Sequence, residues 1–499
     1  MANMYKTPGV YIEEKNAFPN SVVPVPTAVP AFVGYTEKAV MDKKDLKNVP
    51  TRISSFGEYL LYFGEGPNTT YGLAENPDPD KNYKLTVTEN TRYLLFYSMK
   101  LFFANGGSDC YIVSIGNYAQ AVKKEDFFGK ATIGIDTLEK EPEPTMLVIP
   151  DSMLLGQDVY GELHQAMLAH CSKMSNRFAI FDVYMNENAE TEPDPHKNAE
   201  AYRSNIGDHN LQWGAAYYPW LETTIVGSDS VSFVNLAPEA IDSLKKLLEK
   251  EVDDNRKAKL IDDERAEKVK AEIQKLGTTA ADTNLNQTLL VVCPLYKTIM
   301  ESIRAKINLL PPSAGIAGIY SMVDNNIGVF QSPANISIGS VNKPCVNITD
   351  EEQEDLNLPL DGKAINAIRT FPGKGVLVWG ARTLDGNSQD WRYISVRRTV
   401  IFIEQSIKYA AEPYVFAPNT QTTWTNLRAL ITNFLTNVWQ GGALAGASPE
   451  QAFSVDVGLG STMSPVDILD GIMRITVKIA VTRPAEFIVI TFQQKMQES

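Results

Sequence analysis

The last part of the chain carries the clearest alternation of apolar and polar positions. Between residues 472 and 483 every second position is apolar, namely Met473, Ile475, Val477, Ile479 and Val481. A period of two predicts a strand with one buried face. After Pro484, residues 486–492 are apolar on both faces and predict a second strand. A strand with two apolar faces tends to aggregate unless a partner covers it, so the pattern predicts strand addition to a neighbouring subunit.

A similar isolated segment lies near the start of the chain. Residues 8–14 predict a short strand, and the proline-rich residues 18–26 after them are expected to be extended and stiff. This order predicts an N-terminal arm on a semi-rigid leash. An ordinary edge strand of the first domain fits residues 8–14 equally well. The apolar residues 28–35 then predict a strand that enters a core.

The middle of the chain alternates strand and helix patterns. Residues 145–150 and 177–183 predict buried strands, and residues 157–174 between them have helical spacing. This order predicts a parallel α/β sheet. Residues 238–276 are highly charged with sparse apolar stripes, which predicts a helix or helical hairpin inserted at the surface. A coiled-coil partner site is the alternative, although the heptads are not sustained.

A compositional change follows the acidic residues 350–359. Residues 375–380 predict a strand, and two amphipathic helices follow, around residues 396–408 and 424–438. The glycine-rich residues 440–446 predict the end of the second helix. We therefore expect an outer α/β domain over residues 21–365 and a C-terminal domain over residues 366–499.

Length and charge limit the classes of function. A chain of 499 residues predicts two or three domains. The net charge is −14, and residues 361–499 hold 13 Lys and Arg against 11 Asp and Glu, so the acidic excess lies in the remainder. This distribution argues against nucleic-acid binding. The sequence predicts neither a signal peptide nor a membrane-spanning helix, and its four scattered cysteines predict free thiols in the cytoplasm.

A search for catalytic motifs is unproductive. His164 and His170 are six positions apart on a predicted helix and therefore lie on different faces. Residues 371–375 superficially suggest a phosphate loop, but the upstream glycine is absent. A turn or a helix cap accounts for Asp467 and Asp470. The sequence therefore predicts a protein that is not an enzyme and has no cofactor, metal or catalytic site.

Several segments, in order along nearly the whole chain, resemble the contractile tail sheath protein family. They are residues 7–14, 28–35, 311–320, 331–335, 366–369, 378–384, 391–393, 396–398, 442–446 and 483–487. Residues 238–285 have no counterpart and look like a charged helical insertion.

The resemblance implies a mixed α/β fold in two domains. One is an outer α/β domain of subtilisin-like topology, and the other is a C-terminal sheath domain that faces a tube. It also implies strand-exchange arms at both ends, over residues 1–20 and 486–492. The residues expected in inter-subunit strand exchange are Val10, Tyr11, Ile12, Ile475, Val477, Ile479, Phe487, Ile488, Val489 and Ile490. The candidate tube-facing residues are Arg397, Arg398, Glu404 and Lys408, for which a solvated helix face is the alternative.

The function implied by the resemblance is that of a structural sheath subunit in a phage-like injection machine. Six-membered rings of subunits would stack around an inner tube and contract to drive the tube through a target envelope. The expected partners are further copies of the chain, the inner tube, a baseplate and terminal cap proteins, without nucleic acid and without direct membrane insertion. Assembly in the bacterial cytoplasm and incorporation into a released or cell-anchored particle are expected.

Other functions remain as alternatives. The sheath of a true contractile phage tail is the first of them, and type VI secretion sheaths fit less well because they divide this sequence between two chains. An enzyme would need a convergent polar site, and a non-contractile binding module or adhesin would not need paired strands at both ends. Formation of tubes by the purified protein would separate a sheath from these other classes.

Overall fold

The computed structural model describes residues 22–76, 83–186, 193–278 and 283–490. These residues form two compact units. The large unit contains residues 26–398 and 483–490, and the small unit contains residues 22–25 and 399–482. The expected boundary at residues 365 and 366 is wrong, because it falls at the start of a strand that belongs to the main sheet of the large unit.

The strands are β1 Pro30–Thr36, β2 Val40–Met41, β3 Lys44–Asp45, β4 Thr51–Ile53, β5 Tyr71–Glu75, β6 Tyr83–Val87, β7 Cys110–Asn117, β8 Met146–Val148, β9 Phe178–Asp182, β10 Gly214–Tyr218, β11 Leu221–Thr223, β12 Leu309–Leu310, β13 Ile336–Ser337, β14 Val341–Pro344, β15 Ile365–Phe371, β16 Gly375–Val378, β17 Phe453–Val457 and β18 Ile475–Ile479.

The α-helices are α1 Phe56–Phe63, α2 Leu95–Ala104, α3 Tyr160–Met174, α4 Pro195–Asn205, α5 Pro238–Lys257, α6 Asp263–Gln274, α7 Thr283–Val292, α8 Pro294–Ile307, α9 Ser313–Asn326, α10 Asp350–Asn357, α11 Ile394–Ala411, α12 Gln421–Gln440, α13 Pro449–Ala452 and α14 Pro465–Leu469. The division between the two units falls inside α11.

A nine-stranded sheet forms the centre of the large unit, in the order β13-β16-β15-β10-β9-β8-β1-β7-β4. The strands from β15 to β7 all run parallel, while β16 and β4 are antiparallel to their neighbours. The predicted parallel α/β sheet is therefore confirmed. The predicted elements at residues 145–150, 157–174 and 177–183 correspond to β8, α3 and β9.

Helices cover both faces of this sheet. On β9, Phe178 and Ile180 pack in one cluster with Ala314 and Ile316 of α9. The next residue along the strand, Phe181, points to the other face, where its ring centroid lies 4.7 Å from that of His164 on α3. All five residues of β9 are buried. Such a strand reads as a continuous apolar run because neither face meets water.

Close packing between α2 and α9 depends on a glycine. A Cβ atom at Gly318 would lie 2.5 Å from the carbonyl oxygen of Phe102 and 2.9 Å from the Cβ atom of Asn105. Only glycine allows the backbones of the two helices to approach so closely. The small residues of the segment 311–320 are therefore explained by packing inside the large unit.

The charged residues after position 238 form more than a surface hairpin. The four helices α5 to α8 enclose a separate apolar cluster that also receives residues from the β5–β6 hairpin. Leu244 and Leu248 on α5 are fully buried in this cluster, as are Ile273 on α6 and Tyr296 on α8. The predicted helical hairpin is confirmed as α5 and α6, but it does not simply lie on the surface, because its apolar residues are buried in one core with α7, α8 and the β5–β6 hairpin.

The small unit is built from most of α11, beginning at Thr399, from α12, and from the β17–β18 pair. Its core includes Leu427, Ile431 and Phe434 of α12 together with Val455 of β17. The predicted helices at residues 396–408 and 424–438 are confirmed as α11 and α12, and the predicted strand after residue 472 is confirmed as β18. The capping interpretation of Asp467 is also confirmed, because Ser464 and Asp467 form a capping box at the start of α14.

Candidate strand-exchange surface

The two strands of the small unit form an antiparallel pair with an apolar inner face. Val455 lies opposite Val477, and the pairs Phe453–Ile479 and Val457–Ile475 flank it. Ile475, Val477 and Ile479 pack against the core of the small unit and are partly buried, while Thr476 and Lys478 between them are exposed. The alternation read from the sequence therefore describes this strand correctly.

A hydrogen bond just beyond the end of β18 shows which of its backbone groups face the outer edge. The Ala480 N–H donates to the carbonyl oxygen of Ala452 at 2.8 Å, so the backbone polar groups of Ala480 point toward the β17 side. In an antiparallel ladder these groups alternate in direction from residue to residue. The N–H and C=O groups of Ile475, Val477 and Ile479 therefore point away from β17.

These edge groups have no hydrogen-bond partner within the described residues of the small unit, where the sheet contains β17 and β18 alone. By the same alternation, Val455 and Val457 direct their backbone groups to the outer edge of β17, whereas the Phe453 N–H donates to the Pro449 carbonyl oxygen. An isolated two-stranded sheet is marginally stable in water, and exposed edges are templates for further strands. The small unit thus presents one open edge on each side of its sheet.

The beginning of the C-terminal arm is exposed and apolar. The exposed fractions are 66% for Phe487, 79% for Ile488, 87% for Val489 and 69% for Ile490. The described part of the arm ends at residue 490, so the last two residues of the predicted exchange strand lie outside the described residues. Four adjacent exposed apolar side chains are unusual on a solvated surface, and contiguous apolar patches of this kind are typical of interaction sites.

The N-terminal candidates Val10, Tyr11 and Ile12 lie outside the described residues. The segment that follows them belongs to the small unit, where Val22 is buried in the same core as α12 and β17. The Val25 N–H donates to the Ser406 Oγ atom at 3.2 Å. The proline-rich leash therefore ends against the unit that carries the open sheet.

Arg397 is enclosed by aromatic rings of the large unit. Its guanidinium carbon lies 3.8 Å from the centre of the Trp213 ring and 4.5 Å from the centre of the Trp391 ring. The residue is 5% exposed. Stacking on two indole rings stabilises a cation that is removed from water.

Arg398 is a buried ion-pair partner. Its Nη1 and Nη2 atoms donate to the two carboxylate oxygens of Asp324 at 2.9 and 2.6 Å, and the two side chains are 4% and 1% exposed. Burial alone would lower the pKa of Arg398, but Asp324 outweighs that effect and the pKa is raised. The tube-facing role expected of Arg397 and Arg398 does not fit their burial, because both side chains are enclosed by their own chain. Glu404 and Lys408 are exposed and remain candidate tube-facing residues.

The buried histidines do not form an accessible catalytic group. Ser152 Oγ lies 3.1 Å from His164 Nε2, but each residue is 1% exposed. Burial lowers the pKa of His164 to about 3, so the ring is neutral at physiological pH. A substrate has no access to a pair that is enclosed in this way.

His170 lies beside Asp136 and Glu139, with one potential metal-ligand atom from each residue within 4.8 Å of the others. No motif in the sequence indicates this cluster. Arg177 Nη1 donates to His170 Nε2 at 3.1 Å, and Glu139 accepts from Lys173 at 2.6 Å. Because the arginine occupies the lone pair of Nε2, a neutral ring carries its proton on the other nitrogen. Ion pairing accounts for the cluster without a cation.

The four cysteines are free, as predicted, and Cys110, Cys171 and Cys293 are buried. Among the described residues, every helix is too short or too polar to span a lipid bilayer. The supposed phosphate loop at residues 371–375 is the tight turn of the antiparallel β15–β16 hairpin, in which Phe371 lies opposite Gly375. A phosphate loop instead joins a strand to a helix.

Comparison with known proteins places these features in context. Residues 387–495 match the family model for the phage tail sheath C-terminal domain. The helical sheath of the anti-feeding prophage (AFP) in its contracted state is 28% identical, covers 99% of this chain and 100% of that chain, and has a TM-score of 0.61. The contracted sheath complex of the extracellular contractile injection system PVC is also 28% identical, covers 99% of both chains and has a TM-score of 0.58.

A phage relative matches over a shorter region. The tail sheath protein of Burkholderia phage BcepMu is 26% identical over 175 residues, which are 34% of this chain and 36% of that protein. The match therefore spans about a third of the length of that relative. The two nearly full-length structural matches and the matched C-terminal domain are all sheath proteins. Residues 387–495 therefore match the phage tail sheath C-terminal domain family, and the chain as a whole is similar in sequence and fold to contractile sheath proteins.

Proposed function

We propose that this chain is the subunit of a contractile sheath in a phage-like injection machine. Subunits form six-membered rings that stack around an inner tube, and contraction of the stack drives the tube through a target envelope. Two kinds of similarity support this proposal. The AFP and PVC relatives are sheaths in a contracted state, and a 28% identical AFP chain comes from a baseplate solved with six-fold symmetry.

The observation that carries the proposal is the combination of open sheet edges with an exposed apolar arm. A strand rises about 3.3 Å per residue, so a seven-residue strand over residues 486–492 spans about 23 Å, against about 17 Å for a five-residue strand such as β18. The arm is therefore long enough to cover one edge of the sheet. Added to a neighbour, it satisfies the backbone groups of Ile475, Val477 and Ile479.

The arrangement of arms and edges determines the type of assembly. The arm at residues 8–14 and the arm at residues 486–492 each fill an edge on a different neighbour. Such contacts join unlike surfaces of identical subunits and are heterologous. Heterologous contacts generate rings or open helical stacks, which a sheath around a tube requires.

The energy for contraction is stored in the packing of subunits, and no nucleotide is needed. The proline-rich leash and the bend at Arg483 and Pro484 allow the arms to reorient while strand pairing persists. Contacts with the tube must be weak enough to release, and the exposed Glu404 and Lys408 are candidates for them. The other partners are the baseplate and a terminal cap.

An injection system is favoured over a true phage tail as the parent machine. The AFP and PVC sheaths are 28% identical to this chain in structural alignments that cover 99% of it. We therefore infer that the subunit is made and assembled in the bacterial cytoplasm and belongs to a released or cell-anchored particle.

Removal of residues 487–499 tests the strand-exchange assembly. Negative-stain microscopy of the full-length chain, with the cognate tube protein as template, is expected to show long hollow cylinders that the truncated chain does not form. A second variant replaces Phe487, Ile488, Val489 and Ile490 by threonine, which keeps the strand propensity but removes most of the apolar surface. This variant is expected to form fewer and shorter cylinders.

Leu260 provides a matched control because it is 72% exposed and lies in the helical part of the large unit. Leu260→Thr removes exposed apolar surface outside the arm and is expected to leave the cylinders unchanged. Normal cylinders from the truncated chain would contradict the proposal.

A further inference from the structure

The C-terminal arm is attached to the large unit through one carboxylate. Arg382 donates from Nε to Glu486 Oε1 at 2.9 Å and from Nη2 to Glu486 Oε2 at 2.7 Å. The Arg382 side chain is 2% exposed and that of Glu486 is 19% exposed. A bidentate pair of this kind fixes the orientation of the carboxylate as well as its position.

Two neutral side chains complete the binding site for Glu486. Asn357 Nδ2 donates to Oε1 at 2.7 Å, and the Tyr393 hydroxyl donates to Oε2 at 3.1 Å. Each carboxylate oxygen therefore accepts two hydrogen bonds. Burial alone would raise the pKa of Glu486, but the hydrogen bonds from Arg382 and Asn357 outweigh it and lower the pKa. The carboxylate is charged when it is bound.

Hydrogen bonds that do not involve the arm hold Arg382 in place. Asn366 accepts from the Arg382 N–H at 2.8 Å and donates to the Arg382 carbonyl oxygen at 2.8 Å, so it brackets the backbone of the arginine. Arg382 Nη1 also donates to the Gly386 carbonyl oxygen at 3.1 Å. Asn366, Arg382, Tyr393 and Glu486 come from four of the segments that resemble the sheath family. Their convergence gives those segments a shared physical role.

The arm changes character immediately after this contact. Glu486 is largely buried, whereas Phe487 is 66% exposed and Val489 is 87% exposed. A buried guanidinium without its carboxylate is strongly unfavourable, because its charge is then neither solvated nor paired. If Glu486 left its site, Arg382 would be buried without a counter-charge. Glu486 therefore holds the arm at the point where its exposed part begins.

We propose that Glu486 is the anchor of the C-terminal arm, and that Arg382, Asn357 and Tyr393 form its receptor on the same subunit. The anchor sets the point and the direction in which residues 487–492 leave the large unit, and it limits the neighbour edges they reach. This inference rests on the proposed strand exchange. It assigns Glu486 a positioning role that is separate from the apolar contacts made by the arm.

Glu486→Gln tests the anchor in the full-length chain, because glutamine keeps the size of the side chain but removes the charge that pairs with Arg382. Limited chymotrypsin digestion of the unassembled variant measures cleavage after Phe487. We expect cleavage to accelerate by on the order of tenfold, because a lost charge-assisted hydrogen-bond pair makes local opening more frequent. Sheath yield under the microscope should fall several-fold.

Three further variants separate positioning from a general loss of stability. Glu486→Asp keeps the charge and is expected to restore part of the protection and part of the assembly. Glu264→Gln makes the same change in the exposed pair with Lys268, whose side chains are 79% and 74% exposed, and should alter neither readout. Because the change leaves Arg382 buried without a counter-charge, the melting temperature of unassembled Glu486→Gln should fall by a few °C. Asp324→Asn, which breaks a buried pair away from the arm, should lower the melting temperature by at least as much without accelerating cleavage after Phe487.

The outcomes distinguish the two proposals. Wild-type cleavage and wild-type assembly of Glu486→Gln, alongside failure of the chain that lacks residues 487–499, would overturn the anchor and leave strand exchange intact. Normal assembly of that truncated chain would overturn strand exchange itself. Faster cleavage of Glu486→Gln with unchanged assembly would also overturn the anchor, because the held arm would then have no role in assembly.

Discussion

The nine-stranded sheet of the large unit and the two-stranded sheet of the small unit end in different ways. The large sheet finishes on β13 with two residues and on β4 with three, so its outer strands offer few free backbone groups. The small sheet consists of two five-residue strands, each with an outer edge that is unpaired within the described residues. Short outer strands are one of the ways in which proteins avoid edge-to-edge association.

This difference shows where the molecule is complete by itself and where it is not. The strands at the centre of the large sheet are buried on both faces and need no further chain. The small sheet has an apolar inner face and two long edges, which is the arrangement expected for a receptor of added strands. The proposed site of assembly is therefore distinguished by unsatisfied backbone groups more than by any side chain.

The largest effect is expected from proline at the free edge of β18. The Val477 N–H points away from β17, so Val477→Pro leaves the pairing inside the subunit intact but blocks an incoming strand. We expect cylinder formation to be abolished while the unassembled chain still folds. Electron microscopy and thermal unfolding measure the two properties separately.

Thr476→Pro is the matched control, one residue away on the same strand. Its N–H points toward β17, so proline there removes a hydrogen bond within the subunit and should lower the free energy of unfolding by about 1–3 kcal/mol. If Val477→Pro assembled normally, or if the two variants had the same profile, the assigned edge would be wrong.

A smaller effect, confined to the large unit, is expected from the buried pair of Arg398 and Asp324. Asp324→Asn keeps the shape of the side chain but leaves the arginine without a counter-charge, and removal of one partner of a buried pair costs about 3–5 kcal/mol. The free energy of unfolding from a denaturant titration should fall by that amount. Unchanged stability together with weaker tube binding would restore the surface role that the sequence suggested for Arg398.

The smallest effect is a pH dependence of stability that comes from Asp182 in the large unit. Burial raises the pKa of Asp182 from 3.8 to about 7, against the opposing hydrogen bonds from Ser313. Because the folded chain keeps a proton that the unfolded chain releases near pH 4, this contribution to stability is lost as pH rises from about 4 to about 7. The Asp182→Asn variant has no carboxyl group at this position, so its stability does not show this loss.

The measurement for this prediction is the wild-type minus Asp182→Asn difference in unfolding free energy. It should decrease by up to a few kcal/mol between pH 4 and pH 8. Burial lowers the pKa of His164 to about 3 and that of His170 to about 4, so these two residues make stability rise with pH. Both residues are present in the wild type and in Asp182→Asn, so their contribution cancels when the two unfolding free energies are subtracted. A flat difference would show that Asp182 is not held protonated.

Periodicity predicted the regular elements well. The alternation after residue 472 identified β18 and the three residues on its inner face, and helical spacing identified α11 and α12. The partner strand β17 was not predicted, because five residues beside a glycine-rich turn give a weak pattern. The open edges could be inferred only from the direction of backbone hydrogen bonds.

The errors arose from contacts between residues that are distant in sequence. Arg397 and Arg398 look like the polar face of a helix, but Trp213 and Asp324 from other parts of the chain enclose them. The domain boundary was misplaced because β15 pairs with β10, which comes about 150 residues earlier in the sequence. In the same way, Arg382 became recognisable as the receptor for Glu486 only from its position in the fold.

The most direct test of strand exchange is a cryo-electron microscopy structure of the assembled sheath. We predict that the outer edges of β17 and β18 are each paired with a strand from a different neighbouring subunit, one from residues 8–14 and one from residues 486–492. The backbone groups of Ile475, Val477 and Ile479 should all be hydrogen-bonded in that structure. Edges that stay unpaired in the sheath, or arms that fold back onto their own small sheet, would contradict the account.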